Sequence, residues 1–313
     1  MSKYYQYRKK PKRFLALTSY TIEEFDALLP EFAKSFKKRM EKYTLTGKER
    51  TKRAYVDYKN SPLLSIGEKL FFTLTYLKSN ALQEFHGALF QMSQPRVNLW
   101  VHCLLSVLFE TLRVLNELPA RTLQELTLQL KGQQFFFHDA TERPIPRPFD
   151  YARQREYYSG KAHAHTIKNQ LLIDHSCRVL FLSPTVEGKM HDKKLADQSP
   201  YSLPPGSRLF QDAGYQGLTL EGVAIRQPKK KKKGQPLSDL DKSVNQWISS
   251  IRIRMEHAIG GVQRLRIVQD KIRIWKGGIR DSIMTICCGL HNFRLKFRPW
   301  HYDPIQMHLF VDF

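Results

Sequence analysis

Apolar residues recur with helical spacing through the first third of the chain. Over 18–39, TSYTIEEFDALLPEFAKSFKKR, Phe25, Leu28, Leu29 and Phe32 fall on one face. Thr21, with Glu24 three residues on, has the make-up of a capping box, so the pattern predicts a helix with a basic tail. Residues 40–64 are polar, rich in Lys and Arg, and end at Ser61-Pro62, which predicts a loop. Three amphipathic runs then follow up to Leu115: IGEKLFFTLTYLK, NALQEFHGALF and SQPRVNLWVHCLLSVLFETLRVL. The third opens at Ser93 or Gln94, ahead of Pro95. Helix, helix, short break, helix is the outline of a helix-turn-helix; an ordinary three-helix bundle has the same outline.

The texture changes after Pro119. TLQELTLQLKG reads as a connecting helix, and short β-rich runs follow between turn residues: QQFFFHDATERP, HTIKNQLLID, CRVLFLSP, SRLFQDAGYQG and GVAIRQPK. HDKKLADQ is helix-like, and SVNQWISSIRIRMEHAIGGVQRL is a long amphipathic helix. The pattern predicts an α/β chain in two domains: residues 1–120, all-helical, and residues 121–313, a mixed five-stranded sheet with helices packed around it. Between the last strand and the long helix lies a lysine run, Lys229 to Lys233, read as a mobile phosphate-binding loop or equally as a solvated one.

Charge adds a partner. Fifty-one Lys and Arg against 29 Asp and Glu give +22 and a pI near 9.8, a surplus that repels itself unless a polyanion is bound. The cations are spread from end to end rather than gathered on one amphipathic helix, which favours nucleic acid over a membrane surface. If the third helix of the helical domain enters a groove, Arg96 and Asn98 near its start are placed to reach bases. No apolar region follows the basic N-terminus, and LWVHCLLSVLF is broken by His102 and Ser106, short of the ~20 residues a membrane span needs. An intracellular protein with no membrane association is expected. Cys103, Cys177, Cys287 and Cys288 show no CxxC spacing, and no Cys/His zinc pattern is complete, so buried reduced thiols are expected.

Three acids lie close to apolar neighbours. Asp139 follows three phenylalanines and by strand alternation shares a face with Phe135 and Phe137; Asp212 ends another strand, on the face of Phe210. Glu256 borders the apolar stripe of the long helix, with Arg252 at i−4 and Gly260 at i+4. A carboxylate in such surroundings is normally paired, protonated or metal-bound. Two strand-end carboxylates and a helix-borne third have the make-up for a pair of Mg²⁺ ions ~4 Å apart, the arrangement that serves phosphoryl displacement. The plainer alternatives are turn starters at Asp139 and Asp212, and an i, i+4 pair of Glu256 with Arg252.

The segments FFFHDATERP, YYSGKAHAHTIK, GKMHDKKLAD, LFQDAGYQG and SSIRIRMEHAIGGVQRL resemble, in order and spacing, the catalytic region of bacterial DDE transposases of the insertion-sequence-five family, relatives of the Harbinger group. The resemblance runs from about Phe14 to Arg294. It implies a ribonuclease H-like catalytic domain behind a helix-turn-helix-like DNA-binding domain. It also implies Asp139, Asp212 and Glu256 as the catalytic, metal-holding acids, Mg²⁺ as cofactor with Mn²⁺ able to substitute, and two ions in the site. Double-stranded DNA, as element ends and as target, would be the partner, bound by a homo-oligomer among the nucleoid DNA of the cytoplasm. The activity implied is strand cleavage followed by 3′-hydroxyl strand transfer; the alternative is a domesticated, inactive relative that only binds DNA.

The family signature sets a tyrosine, an arginine, the glutamate and a lysine down one helix face. Arg252 and Glu256 match it, while Ser249 and Gln263 stand at the tyrosine and lysine positions, with Arg264 or Arg266 as substitutes. Arg252 thereby becomes a DNA-contacting candidate. Lys161, His165 and Lys168 are phosphate-binding candidates or a solvated strand edge. Asp192 competes for the second acid but also reads as a helix N-cap ahead of KKLADQ.

Overall fold

A computed structural model describes residues 2–51, 54–57, 61–130, 132–198, 202–231, 235–274 and 277–302; Lys232 and Lys233 of the lysine run lie outside these. The chain divides into two compact units, Met1–Leu118 with Gln263–Phe297, and Pro119–Val262 with Arg298–Phe313.

The first unit opens with α1 (Lys3–Arg8), α2 (Pro11–Thr18) and α3 (Ile22–Lys42), continues with α4 (Ile66–Ser79), α5 (Gln83–Phe90) and α6 (Gln94–Val114), and is rejoined late in the chain by a last helix. The capping box of Thr21 and Glu24 forms as the sequence predicts, and Ser93 stands at the N-cap position of α6 with Pro95 in its first turn. The two short helices α1 and α2 were not predicted, since too few residues define a stripe. They are held by tertiary contacts: Tyr4 stacks on Phe25 at 5.3 Å, and Phe14 meets Phe25 at 5.2 Å and Phe71 at 5.5 Å. Among the described residues α6 is the one helix long and apolar enough to cross a membrane. It is a core helix instead, with Val97, Trp100, Leu104, Val107 and Leu108 buried against its neighbours.

The second unit contains α7 (Leu123–Gln129), β1 (Phe135–Pro144), α8 (Tyr151–Tyr157), β2 (Tyr158–Ser159), β3 (Ala164–Asp174), β4 (Val179–Leu182), β5 (Val186–Glu187), α9 (Asp192–Gln198), β6 (Arg208–Phe210), β7 (Ala224–Arg226) and α10 (Asp239–Gln263). The five expected strands are β1, β3, β4, β6 and β7; the two-residue strands β2 and β5 are additions that pair with β3. β3 runs antiparallel to both β1 and β4, while β1, β6 and β7 are parallel. This mixed sheet, with helices around it and a helical domain ahead of it, is the ribonuclease H-like arrangement. Residues of even number in β1 turn to one core, where Phe136, Leu172, Leu180 and Leu209 meet Leu126, Leu130 and Leu203. Residues of odd number turn to the other face, where Phe137 stacks on Phe210 at 5.1 Å, and Phe210 meets Trp247 of α10 at 5.9 Å.

The late helix α11 (Gly277–Leu295) belongs to the first unit, where Tyr20 donates to the Leu290 carbonyl at 2.7 Å and Asn292 to that of Glu117 at 2.9 Å. Its segment SIMTICCGLHNF carries almost no polar face, so periodicity does not single it out. All four cysteines are buried thiols outside any disulfide.

Gly87 in α5 marks the tightest approach to the start of α6. A Cβ there would lie 2.4 Å from the Met92 carbonyl oxygen and 3.2 Å from Val97 Cγ2. Alanine normally favours a helix over glycine by about 1 kcal/mol, but a backbone carbonyl cannot step aside as a flexible side chain can, and overpacking costs about 1–3 kcal/mol. Gly87→Ala is therefore expected to lower the stability of the first unit in urea unfolding; a gain in stability would show that α5 and α6 are not packed this closely.

Candidate active site

The site begins with strand register. Phe135, Phe136 and Phe137 of β1 stand opposite Arg208, Leu209 and Phe210 of β6. One step further, His138 and Gln211 point to the same side and join, Nε2 to Oε1 at 2.9 Å. Gln170 reaches His138 Nδ1 at 3.3 Å, and the His138 ring lies on Tyr215 with centroids 4.1 Å apart. Burial holds this imidazole neutral, with its pKa pushed down to about 3. The clamp fixes the next residue of each strand, Asp139 and Asp212, at the same height on the opposite face.

Arg252 of α10 meets both, with Nη1 3.3 Å from Asp212 Oδ1 and Nη2 3.9 Å from Asp139 Oδ2. Burial raises the Asp139 carboxyl to about 6; the Ala140 amide and Arg252 pull it down, and the negative charges of Asp212 and Asp192 push it up. Asp212 also caps the short turn Ala213–Tyr215 by accepting from the Ala213 amide at 2.8 Å. The turn-starter role and the charged role therefore coexist in one side chain.

Asp192 stands beside this pair. It is the first residue of α9 rather than the cap, and its carboxylate accepts from Lys168 Nζ at 2.9 Å. Gly214 allows the approach: a Cβ there would be 3.1 Å from Asp192 Oδ2. Lys168 is 6% exposed, and besides Asp192 it pairs with Glu142 at 3.3 Å and donates to the Met190 carbonyl at 2.8 Å. It thus faces inward, holding Asp192, and is not presented at a solvated strand edge.

Glu256 lies one helical turn beyond Arg252 and is exposed. Among the described residues no three His, Cys, Asp or Glu side chains converge to hold a metal ion, so the structure brings together Asp139, Asp212 and Arg252 but not Glu256. Two carboxylates sharing one guanidinium are nevertheless a hard, all-oxygen donor pair already gathered around a cation. Such a pair fits Mg²⁺, which is usually held by one or two carboxylates together with waters and substrate phosphate.

The other candidates lie elsewhere. Arg96 is exposed in the first turn of α6, whereas Asn98 donates to Gln83 Oε1 at 3.2 Å, which also accepts from Gln94 at 2.6 Å. Lys161 is exposed in the turn before β3, and His165 pairs across to Tyr158 with ring centroids 5.6 Å apart. Ser249 is exposed on α10. The clamp of His138, Gln211 and Gln170 was missed from the sequence; the only signal was that each acid follows a polar residue which alternation turns into the core.

Residues 138–292 match the family described as DDE superfamily endonuclease, and residues 62–113 that described as the helix-turn-helix of DDE superfamily endonuclease. The chain is 26% identical over 239 residues to the probable transposase for insertion sequence element IS702 of Microchaete diplosiphon, a match spanning 76% of this chain and 83% of that relative. No solved structure matches it. With the helix-turn-helix matching α4–α6 and the endonuclease region starting one residue before Asp139, the chain belongs to the DDE superfamily, as a transposase.

Proposed function

We propose that the chain binds the ends of its own element and cuts and joins DNA at Asp139, Asp212 and Glu256. The observation that carries this reading is the pairing of Asp139 and Asp212 at one height on parallel strands, both turned to Arg252. Glu256 is assigned the third position because it shares the helix face from which Arg252 reaches the two aspartates. In this reading residues 1–120 hold the element ends and residues 121–313 carry the chemistry, with a homo-oligomer bringing two ends together on nucleoid DNA.

The three acids would hold Mg²⁺, or Mn²⁺ in its place. Two such ions, when bound, supply positive charge to the attacking and leaving oxygens of an in-line displacement at phosphorus. Arg252 places a fixed cation beside the carboxylates, suited to a strand phosphate. Lys168 orients Asp192, and the neutral His138 keeps the two strands in step. Lys161, His165 and Arg96 take DNA phosphate or base edges from exposed or half-buried positions, and Asn98 does so on release from Gln83. Cleavage by water would free a 3′ hydroxyl, which then attacks the target, so positioning supplies most of the catalysis and no covalent protein intermediate is needed.

The exposed Glu256 favours a second reading, a chain that binds ends without cutting them. Cleavage and joining of a labelled element-end duplex with Mg²⁺ or Mn²⁺ separates the two. Asp139→Asn, Asp212→Asn and Glu256→Gln are each expected to bind that duplex as wild type does and to cut at least ~100-fold more slowly, the scale of losing one electrostatic group from an active site. Wild-type binding without cleavage in either metal supports the binding-only reading.

A second test uses the raised Asp139 carboxyl. Its folded-state pKa of about 6 lies above the ordinary 3.8, so its contribution to stability is complete below about pH 3.8 and is lost as pH rises through about 6. Asparagine escapes that loss. In metal-free buffer Asp139→Asn should melt above wild type near pH 8, with the gap closing towards about pH 4, and Mg²⁺ should raise the wild-type midpoint more than the variant's. A gap that does not change with pH would mean that Asp139 ionises as an ordinary surface acid.

A further inference from the structure

The outer end of the β1–β3 ladder carries a cleft of ≈ 460 Å³, of whose lining the function proposed above uses His165 alone. Arg147, Arg155 and Lys189 line it together with the His165 ring, and none of these is ion-paired with a described carboxylate. Arg147 is held by a neutral partner, Gln154 Oε1, at 2.9 and 2.7 Å, which fixes the guanidinium without cancelling its charge. Two tyrosines stand among these cations, Tyr151 at 72% exposure and Tyr158 at 45%. Tyr158 is anchored opposite His165 in the β2–β3 ladder, and Tyr151 opens α8, whose cap Asp150 accepts from the Arg153 amide at 2.9 Å.

Cations interleaved with exposed aromatic faces serve two parts of one ligand. The cations take phosphates, and the rings take the flat face of a base. In a duplex those faces are covered by neighbouring bases, so only an unpaired nucleotide can use the tyrosines. From the register of Asp139 with Leu171, the cleft at His165 lies six residues along β3, about 20 Å at the rise of a strand. At the duplex rise of about 3.4 Å per nucleotide that is roughly six nucleotides from the acids, and fewer for an unstacked strand, which extends further per nucleotide.

We propose that this cleft is a binding site for unpaired DNA nucleotides, which stack on Tyr151 and Tyr158 while Arg147, Arg155 and Lys189 hold their phosphates. The proposal rests on the reading of the chain as one that acts on DNA ends, and it assigns where a strand freed at such an end is kept.

The test is fluorescence anisotropy of the full chain with a blunt duplex and with the same duplex carrying an unpaired thymidine tail, on either strand, of about two or about eight nucleotides. Wild type is expected to prefer the long tail over the blunt end and to gain nothing from the short one. Tyr151→Ala and Tyr158→Ala should each remove about fivefold or more of that preference, while Tyr151→Phe and Tyr158→Phe keep it, since stacking needs the ring alone. Should Tyr158→Ala fail to fold, the exposed pair Arg155→Ala with Lys189→Ala serves in its place. It should lower the steepness of the log affinity against log salt for the tailed duplex by about 1.4, the value for two phosphate contacts on a single strand. Equal affinity of wild type for tailed and blunt duplex, or a preference unchanged in both alanine variants, overturns this site and leaves the transposase reading intact. Failure of wild type to bind any DNA overturns both.

Discussion

Two aspartates on neighbouring strands meet at one point only if the strands are in step, and a slip of one residue would send one of them into the core. The pairing of Phe135–Phe137 with Arg208–Phe210 sets that step, and the bond of His138 to Gln211 carries it past the end of the backbone ladder. The clamp is polar and buried, so an imperfect register would strand a histidine and a glutamine without partners. The cost of that loss falls on the same residues that aim the acids. Register and site are thus enforced by one interaction, and the neutral state of His138 keeps a second positive charge from competing with Arg252.

The opposite face of the same strands explains how the helix arrives. Phe137 and Phe210 stack, Trp247 of α10 packs on Phe210, and Arg254 lies over Phe137 at 5.9 Å and over the Tyr302 ring at 4.1 Å. With Ile251, Met255 and Ala258 buried on the same stripe, α10 has one rotational setting, and that setting delivers Arg252 to the aspartates. The burial that raises the Asp139 carboxyl, and the like charges of Asp212 and Asp192 beside it, are tolerable because an arginine on a rigid helix stands between the two aspartates. Carboxyl groups perturbed by burial and by charged neighbours in this way cluster at functional sites.

Much of this was legible beforehand, for identifiable reasons. The capping box at Thr21, the Pro95 start of α6 and the five main strands follow from local rules, and the structure has each of them. Asp139 and Asp212 were singled out because alternation put carboxylates on faces shared with phenylalanine, a conflict between local pattern and ordinary burial. The missing parts are non-local. α1 and α2 exist through aromatic contacts with α3 and α4, and α11 is too uniformly apolar to show a period. The inward turn of Lys168 depends on Glu142 and Asp192, one on a neighbouring strand and one on a helix start, which no spacing reveals.

The charge surplus divides along the same line. Lys69 is fully buried against Asp57, at 3.0 Å, and against the Phe36 and Trp100 rings; Lys168, Arg143 and Arg254 are buried as well. These cations organise the interior and contribute nothing to attracting DNA. Of the whole-chain surplus of +22, it is the exposed part that attracts DNA, and there salt screens it within about 10 Å, so encounter with DNA depends on ionic strength while the geometry of the acids does not. Among exposed basic residues, those set beside fixed aromatic rings can do more than attract a polyanion. A ring adds a shape that distinguishes one state of the strand from another, and positional information of that kind is what separates a basic surface from a site.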